Sequence, residues 1–148
     1  MINLRYALAL LLAALAAPSM AATCPNTGLQ QQAAVLVTAK GRFKYQLEVA
    51  ASVDEQSCGM MFRKTMKRTT GMVFPFVPAR PASFWMDNTA LPLDLIFVAP
   101  NDRVLSIGNG KPFSRDLIDS GGVTAAVIEL TAGEAARIGL KPGDKVER

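Results

Sequence analysis

Apolar and polar residues alternate most regularly along residues 42–50. A repeat of two places successive side chains on opposite faces of a strand, so this segment is predicted to have one buried and one solvated face. Its apolar positions are Phe43, Tyr45, Leu47 and Val49. A second apolar segment, residues 33–38, precedes it, and Lys40-Gly41 separates the two. We therefore predict a β-hairpin near the start of the domain.

Two four-residue segments match the capping box that begins many helices. Residues 52–55 (Ser-Val-Asp-Glu) and residues 131–134 (Thr-Ala-Gly-Glu) each place a hydroxyl three residues before a glutamate. In a capping box the hydroxyl accepts a hydrogen bond from the third helical residue, and the glutamate accepts one from the cap residue. These segments predict two short helices. One carries Cys58, and the other ends before Gly139, whose backbone is expected to be left-handed.

The remaining apolar runs predict further strands. Residues 71–77 form one run, which Pro75 is expected to interrupt and Pro78 to end, because proline cannot donate to a strand ladder. Later strands are predicted at residues 104–107, 123–130 and 145–147. Residues 108–122 are rich in Gly, Asn, Pro, Ser and Asp, and are expected to form the longest irregular segment. This succession predicts a mainly β protein with two short helices.

Residues 82–100 contain the only tryptophan, Trp85, beside the polar residues 87–89. We predict a strand, a tight polar corner and a second, more buried strand, and Pro92 is compatible with the corner. Trp85 has two interpretations. It is either a core residue next to an ordinary turn, or one wall of a ligand pocket. The sequence leaves both open.

The start of the chain has the pattern of a secretory signal peptide. Arg5 supplies a positive charge, residues 7–17 are an unbroken apolar run, and small residues precede a cleavage site expected after Ala21 or Ala22. The apolar run is shorter than the roughly 20 residues that a membrane span requires. We therefore expect a periplasmic or secreted protein without stable membrane insertion after cleavage.

After the predicted signal, residues 1–22, we expect a flexible lead-in over residues 23–32 and a single domain over residues 33–148. The two cysteines, Cys24 and Cys58, both belong to the exported part. A disulfide is the default in an oxidising compartment, whereas the alternative is a buried, inert Cys58 and a free Cys24. A lipid anchor on Cys24 is less favoured, because a threonine precedes it.

The sequence contains no histidine. This absence excludes Ser-His-Asp and Cys-His nucleophile systems and every histidine metal site. Neither a cofactor nor a metal site is expected. The weak metal alternative is a calcium loop with Asp116 and Asp119, but its spacing is not that of an EF-hand.

The charge of the chain argues against a nucleic-acid partner. The net charge is +4, and the lysines and arginines are scattered rather than arranged in a stripe with aromatic residues. Residues 63–68 are the densest basic segment. They are either a solvated loop or the rim of an anion site, in which case Arg63 is the residue to test.

The motifs together resemble the family called domain of unknown function 192 (DUF192), over about residues 33–147. The matching segments are EQ (55–56), GMMFR (59–63), GMVF (71–74) with Phe76, FWM (84–86), NT (88–89), LPLD (91–94), VIEL (127–130), AG (132–133) and GD (143–144). The resemblance implies a compact, mainly antiparallel β-sandwich or barrel with short helices, usually exported in bacteria. It implies no established activity, cofactor or catalytic residue.

Within the motif, five polar or aromatic positions are the candidate ligand-binding residues: Arg63, Trp85, Asn88, Thr89 and Asp94. Members of the family often carry a basic residue where this chain has Asp87. This departure weakens the idea that Asp87 and Asp94 act together as an acid and a base. The two cysteines lie outside the shared pattern and are better interpreted as a local staple.

The predicted function is that of a non-enzymatic binding or accessory domain of the cell envelope. Its groove would be walled by Phe84, Trp85 and Met86, with Arg63 and Asp94 contacting a small molecule, a glycan fragment or an envelope protein. The alternative is a carboxylate-dependent hydrolase acting on envelope polysaccharide. A third possibility is a module that binds a partner segment at an edge strand.

Overall fold

The computed structural model describes residues 24–148 and confirms a mainly β fold with two short helices. The predicted signal peptide lies outside the described residues. The strands are β1 (Gln31–Thr38), β2 (Gly41–Val49), β3 (Thr70–Arg80), β4 (Ser83–Phe84), β5 (Leu93–Val98), β6 (Val104–Gly110), β7 (Ile118–Asp119), β8 (Thr124–Thr131) and β9 (Lys145–Glu147), and the helices are α1 (Val53–Cys58) and α2 (Glu134–Ile138). Within residues 24–148, no helix is long and apolar enough to cross a membrane.

Seven strands form one sheet in the order β6-β5-β8-β3-β2-β1-β9, and β4 pairs separately with β7. The sheet is mixed, because β2 and β3 run parallel, but every other strand pair is antiparallel, as expected of a mainly antiparallel fold. The two ends of the sheet also meet. The Val104 amide donates to the Asp144 carbonyl at 2.8 Å, and the Val146 amide donates to the Asp102 carbonyl at 2.9 Å. The sheet therefore curls towards a closed barrel, which protects its edges.

Each face of the sheet carries an apolar layer, because side chains alternate along a strand. The inner layer takes residues from all seven strands and from α2, including Leu36, Leu47, Val73, Ile96, Val104, Ile128, Ile138 and Val146. The outer layer lies on β3, β5 and β8, which contribute Met72, Phe74, Leu95, Phe97 and Val127. Residues that follow α1 or flank β4 cover it, namely Met60, Ala82 and Met86. The candidate site described below lies in this outer layer.

The predicted β1–β2 hairpin is present, and β3 is the main correction to the strand boundaries. β1 pairs with β2, and β5 pairs with β6, both antiparallel. β3 is neither broken at Pro75 nor ended at Pro78, because Pro75 still pairs with Ala126 of β8 and the strand resumes at Arg80 after a shift in register. A bulge of this kind accommodates prolines inside a strand. The predicted irregular segment also contains more structure than expected, namely the end of β6 and the short β7.

The first capping box is confirmed and the second is wrong. Ser52 accepts from the Glu55 amide, and the Glu55 side chain accepts from the Ser52 amide, as predicted for α1. At α2 the cap residue is Gly133, and no side chain caps the helix from within that segment. A carboxylate from β5 does so instead, because Asp94 Oδ2 accepts from the Ala135 amide at 2.8 Å. A distant strand thus replaces the local cap.

The segment before β1 is held to the body of the protein. Cys24 and Cys58 form a disulfide, as expected. The buried Asn26 side chain donates to the carbonyl oxygens of Gly59 at 3.0 Å and Met61 at 2.7 Å. β1 already begins at Gln31, within the predicted lead-in. The start of the described chain therefore supports the segment that follows α1.

Candidate functional site

A cleft of about 310 Å³ opens between α1 and the outer face of the sheet. Its floor is formed by side chains of β3 and β8, and its walls come from the segment after α1 and from the chain around β4. The lining residues include Gln56, Met60, Met61, Phe74, Phe76, Arg80, Phe84, Trp85, Thr89 and Glu129. Most of them are apolar or aromatic, and Glu129 is their only carboxylate. A concave site that combines apolar surface with placed polar groups is typical of small-molecule binding.

Glu129 lies on β8, directly between Met72 of β3 and Leu95 of β5. Its side chain is on the same face as Val127, in the outer apolar layer. Only 4% of the residue is exposed, and its Oε2 atom has no hydrogen-bond partner. Such groups are rare because an unpaired buried carboxylate is costly. This carboxylate is therefore the most unusual group in the cleft.

Burial raises the pKa of Glu129 from 4.5 to about 8, and the positive charge of Arg63 partly opposes this rise. Arg63 does not form an ion pair with Glu129, because its guanidinium binds Glu48 and the Asn26 carbonyl. Glu48 and Glu129 occupy the same row of the sheet, on either side of Met72. Two strand spacings of about 4.8 Å place their backbones roughly 10 Å apart. The arginine whose charge lowers the pKa of Glu129 is therefore already paired with another carboxylate.

A second buried glutamate, Glu134, shows how the fold satisfies such a group elsewhere. Its carboxylate accepts from the Tyr45 hydroxyl at 2.7 Å and from two Arg137 nitrogens at 2.8 and 2.5 Å. These bonds, the Arg137 bonds above all, hold the pKa of Glu134 below its usual range. Glu134 therefore forms a structural ion pair with Arg137, whereas Glu129 has no comparable partner. The contrast identifies Glu129 as a buried carboxylate that the folded protein leaves without a comparable partner.

Aromatic rings form the walls around this carboxylate. Phe84 packs edge-to-face on Phe74, with ring centroids 5.1 Å apart. The Arg80 guanidinium lies over the Phe76 ring, 4.2 Å from its centroid. Trp85 stands at the mouth of the cleft with 49% of its surface exposed. The structure therefore favours the interpretation of Trp85 as a wall of an open site over that of a core residue.

The polar corner after Trp85 is fixed by its backbone. The Phe62 amide donates to the Asn88 carbonyl at 2.9 Å, and the Phe113 amide donates to the Thr89 carbonyl at 3.0 Å. Asn88 adopts a left-handed φ of 52°, which asparagine tolerates better than most residues. Thr89 is buried, lines the cleft and donates its hydroxyl to the Asp87 carbonyl at 3.0 Å. The corner therefore positions Trp85 and Thr89 at the wall.

The structure brings together only part of the predicted binding set. Trp85 and Thr89 line the cleft, and Asn88 lies in the supporting corner. Arg63 holds Glu48 and the chain start, and is not among the residues that line the cleft. Asp94 lies on the opposite face of the sheet, because β5 points residues 94, 96 and 98 inwards and residues 93, 95 and 97 outwards. Arg63 and Asp94 therefore do not meet.

Two further expectations need correction. Met86 is 1% exposed and belongs to the outer layer, so it does not line the cleft. Asp87 pairs with Arg115 at 3.0 Å on the outer side of the sheet, whereas Asp94 supports α2 on the inner side. The sheet separates these two carboxylates, which cannot act as an acid and base pair.

The oxygen-rich loop considered for calcium is engaged in local hydrogen bonds. Asp116 accepts from the Ser114 hydroxyl at 3.0 Å, and Asp119 accepts from the Ser83 hydroxyl. Across residues 24–148, no three Cys, Asp or Glu side chains converge in a way that could hold a metal ion.

Glu129 was not selected as a site residue from the sequence. It belongs to the VIEL segment that matched the family, but its role was not apparent there. The available signal was its position, because a lone carboxylate interrupts the apolar run of a strand predicted to be buried. Acidic residues are almost never fully buried unless they are paired. Only the packing shows that Glu129 lacks such a pair.

Comparisons with known proteins agree with this fold. The closely similar solved structures include a protein of unknown function from Novosphingobium aromaticivorans, with 42% identity over 84% of this chain and 89% of that chain, and a TM-score of 0.81. Another, from Sinorhizobium meliloti, carries a provisional label as a transcription regulator, with 37% identity over 80% of this chain and 94% of that chain, and a TM-score of 0.78. A comparison with curated proteins finds no match. The DUF192 family model, described as an uncharacterized ACR, matches residues 35–148, and the chain therefore belongs to the DUF192 family.

Proposed function

We propose that this protein is an exported, non-enzymatic binding domain whose cleft holds a small ligand against Glu129, Trp85 and Phe84. The observation that carries the proposal is that Glu129 lines the cleft and that its buried Oε2 atom has no hydrogen-bond partner. Leaving a polar group buried and unpaired costs about 1 to 3 kcal/mol, and more for a charged group. A ligand that supplies the missing hydrogen bond would recover part of that cost.

The geometry of the cleft supports binding of this kind. Trp85 and Phe84 offer apolar surface, and Thr89 and Glu129 offer polar groups near it. A ligand bound between them would have an apolar body and at least one polar group directed towards the floor. The cleft is partly built before any ligand arrives, because Phe84 is already packed on Phe74. Pre-organisation of this kind lowers the entropic cost of binding.

Export is supported by the predicted signal peptide and by the disulfide between Cys24 and Cys58. Structural disulfides persist mainly in oxidising compartments such as the periplasm. The bond also bears on the site, because Cys58 ends α1 and lines the cleft. We therefore place the binding activity outside the cytoplasm, in the periplasm or the medium.

The hydrolase alternative receives less support. Most glycosidases need two carboxylates about 5 to 10 Å apart across the scissile bond. Glu129 is the only carboxylate among the residues that line the cleft, and Asp94 lies behind the sheet. A raised pKa suits a general acid, but an acid alone does not complete that mechanism.

The label of the S. meliloti relative is not extended to this chain. DNA binding depends on cations that are free to contact phosphates. Here the lysines and arginines are scattered along the chain rather than arranged in a stripe with aromatic residues.

The proposal is tested by screening pooled small molecules against the purified protein with ligand-observed NMR. Amines, sugars, organic acids and short peptides are included, and each hit is repeated with Trp85→Ala and Glu129→Gln. Both variants are expected to lose the hits. Phe113→Ala is the matched control, because it removes an exposed aromatic side chain that does not line the cleft and keeps the backbone amide that binds Thr89.

Stability is measured on the same variants. Trp85 is about half exposed, so Trp85→Ala should cost roughly 1 to 2 kcal/mol rather than the 3 to 5 kcal/mol typical of a buried aromatic residue. Loss of the hits with an intact fold supports the proposal. Hits that survive both cleft variants, or a screen without any hit, would overturn it.

A further inference from the structure

We infer that the ligand of this cleft is an organic cation, a small alkylammonium group that binds between the aromatic walls and the Glu129 carboxylate. The inference rests on the proposed function and names the class of ligand. Three features of the cleft support it. They are the aromatic lining, the Arg80 guanidinium that lies over one of the rings, and the charged groups around Glu129.

The aromatic lining is the first feature. Phe74, Phe76, Phe84 and Trp85 all line one cleft, and Glu129 is the only acidic residue among them. Aromatic rings attract cations through the negative charge on their faces, and cages of several rings are a common way to bind alkylammonium groups. A ligand without any polar group gains nothing from Glu129, whereas an alkylammonium group is attracted both to the rings and to the ionised carboxylate. The combination therefore favours a ligand that is both apolar and positively charged.

The position of Arg80 is the second feature. Its guanidinium lies over the Phe76 ring at 4.2 Å, and no carboxylate within residues 24–148 lies at ion-pair distance from it. A ring of the cleft thus already binds a cation through its face. Arg80 is exposed, so it can turn into solvent when a ligand cation takes its place.

The charges around Glu129 are the third feature. β3 contributes Met72 and, at its far end, Arg80, and β5 contributes only apolar residues on this face. The segment after α1 contributes Arg63, which is held by Glu48 of β2. No acidic residue competes with Glu129 for a cation among the residues that line the cleft.

At pH 7 the buried carboxyl of Glu129 is mostly protonated when the cleft is empty, because its pKa is raised to about 8. An ammonium group stabilises the ionised form, so the proton is released to solvent as the cation binds. A neutral ligand would leave the proton in place and accept a hydrogen bond from the protonated carboxyl. The pH dependence of binding therefore has opposite signs for the two kinds of ligand.

The cleft size limits the cation to a small one. A volume of about 310 Å³ lies at the lower end of the range of roughly 300 to 1,000 Å³ that is usual for small-molecule sites. A trimethylammonium or short alkylamine group fits this description better than a long polyamine.

The test compares choline chloride with 3,3-dimethyl-1-butanol, in which a neutral tert-butyl group replaces the trimethylammonium group. Binding of each probe to the purified protein is measured by NMR titration at pH 7 and pH 9. Choline is expected to bind at least tenfold more tightly than the alcohol. Its affinity should rise about tenfold from pH 7 to pH 9, because a carboxyl with a pKa of about 8 is mostly protonated at the first pH and mostly ionised at the second.

Two variants extend the test. Glu129→Gln should remove both the preference for choline and its pH dependence. Arg80→Gln should raise choline affinity severalfold, because it removes the competing cation from the Phe76 ring. Weaker choline binding in Arg80→Gln would overturn the inference, since Arg80 would then assist the ligand.

The remaining outcomes separate this inference from the proposed function. If the alcohol binds as tightly as choline, and Trp85→Ala weakens both, then the cleft is a binding site but its ligand is not a cation. If neither probe shifts resonances of residues that line the cleft, the cation inference also fails. In that case the proposed function is still judged by the wider screen.

Discussion

Replacing Glu129 by Gln should remove a pH dependence of stability that we expect of the wild-type protein between pH 5 and pH 8. In the folded protein the carboxyl keeps its proton up to a pKa of about 8, because it is buried, whereas in the unfolded chain it ionises near 4.5. The folded state thus binds more protons than the unfolded state in this window. Wild-type stability must therefore fall as the pH rises through the window and level off above pH 8.

The size of the effect follows from the two pKa values. One pKa unit corresponds to about 1.4 kcal/mol at 25 °C. The rise from 4.5 to about 8 therefore corresponds to roughly 5 kcal/mol of stability that is present below pH 4.5 and lost above pH 8. This is a large share of the roughly 5 to 15 kcal/mol by which most domains are stable. Glutamine does not titrate, so the variant should lack this loss.

The measurement is urea unfolding by circular dichroism at half-unit steps from pH 5 to pH 8.5, for wild type and Glu129→Gln. The free energy of unfolding of the wild type, relative to the variant, should fall by about 1 kcal/mol or more per pH unit. Glu129→Met is a second variant, and it should show the same difference, because it also lacks the titrating group. No histidine contributes to the pH dependence in this range, because the sequence contains none.

A difference that stays flat across this range would refute the reasoning. It would mean that the carboxylate is solvated or paired in solution, and that the cleft holds no anomalous charge. The proposals for the site would then lose their main observation.

Three further predictions concern the supports of the fold. Asp94→Ala should destabilise the protein by about 1 to 3 kcal/mol, measured by urea unfolding, because it leaves a buried amide of α2 without its acceptor. If the loss of stability in Asp94→Ala is within experimental error, then water has replaced the carboxylate as the acceptor of this amide. Replacing both Cys24 and Cys58 by Ser opens a loop with a sequence separation of 34 and should cost about 3 to 4 kcal/mol on the chain-entropy model. Equal melting temperatures with and without a reductant would contradict this. Gly71→Ala places a methyl group 2.3 Å from the Glu129 carbonyl oxygen and should cost at least about 2 kcal/mol, because two backbones must move apart. An unchanged thermal unfolding curve would argue against such a close approach.

Patterns confined to neighbouring residues predicted their structures well. The alternation along β2 follows from one buried face, and the α1 capping box needs only residues 52–55. The cysteine pair was predicted from the compartment and is bonded in the structure. Strand alternation and helix capping depend on residues that are close in the sequence, and disulfide formation depends on the redox compartment of the protein. The sequence contains that information directly.

The incorrect predictions have a common cause. Each concerned a contact between residues that are distant in the sequence and adjacent in the fold. The second capping box was wrong, since Asp94 reaches the helix from another strand. The extension of β3 past Pro78 depends on a bulge against β8. Arg63 and Asp94 were expected to share a groove, but Arg63 holds Glu48 and Asp94 lies behind the sheet. No local pattern encodes such pairings.

By itself, the sequence determined the mainly β class, the first helix, the β1–β2 hairpin and the family. Only the tertiary structure decided that Trp85 is half exposed and that Glu129 lies unpaired on the floor of the cleft beside it. The reason is that hydrophobic periodicity records which face of a strand is buried, but not which side chains meet there. A buried carboxylate becomes a candidate site only when its neighbours are seen to leave it without a partner.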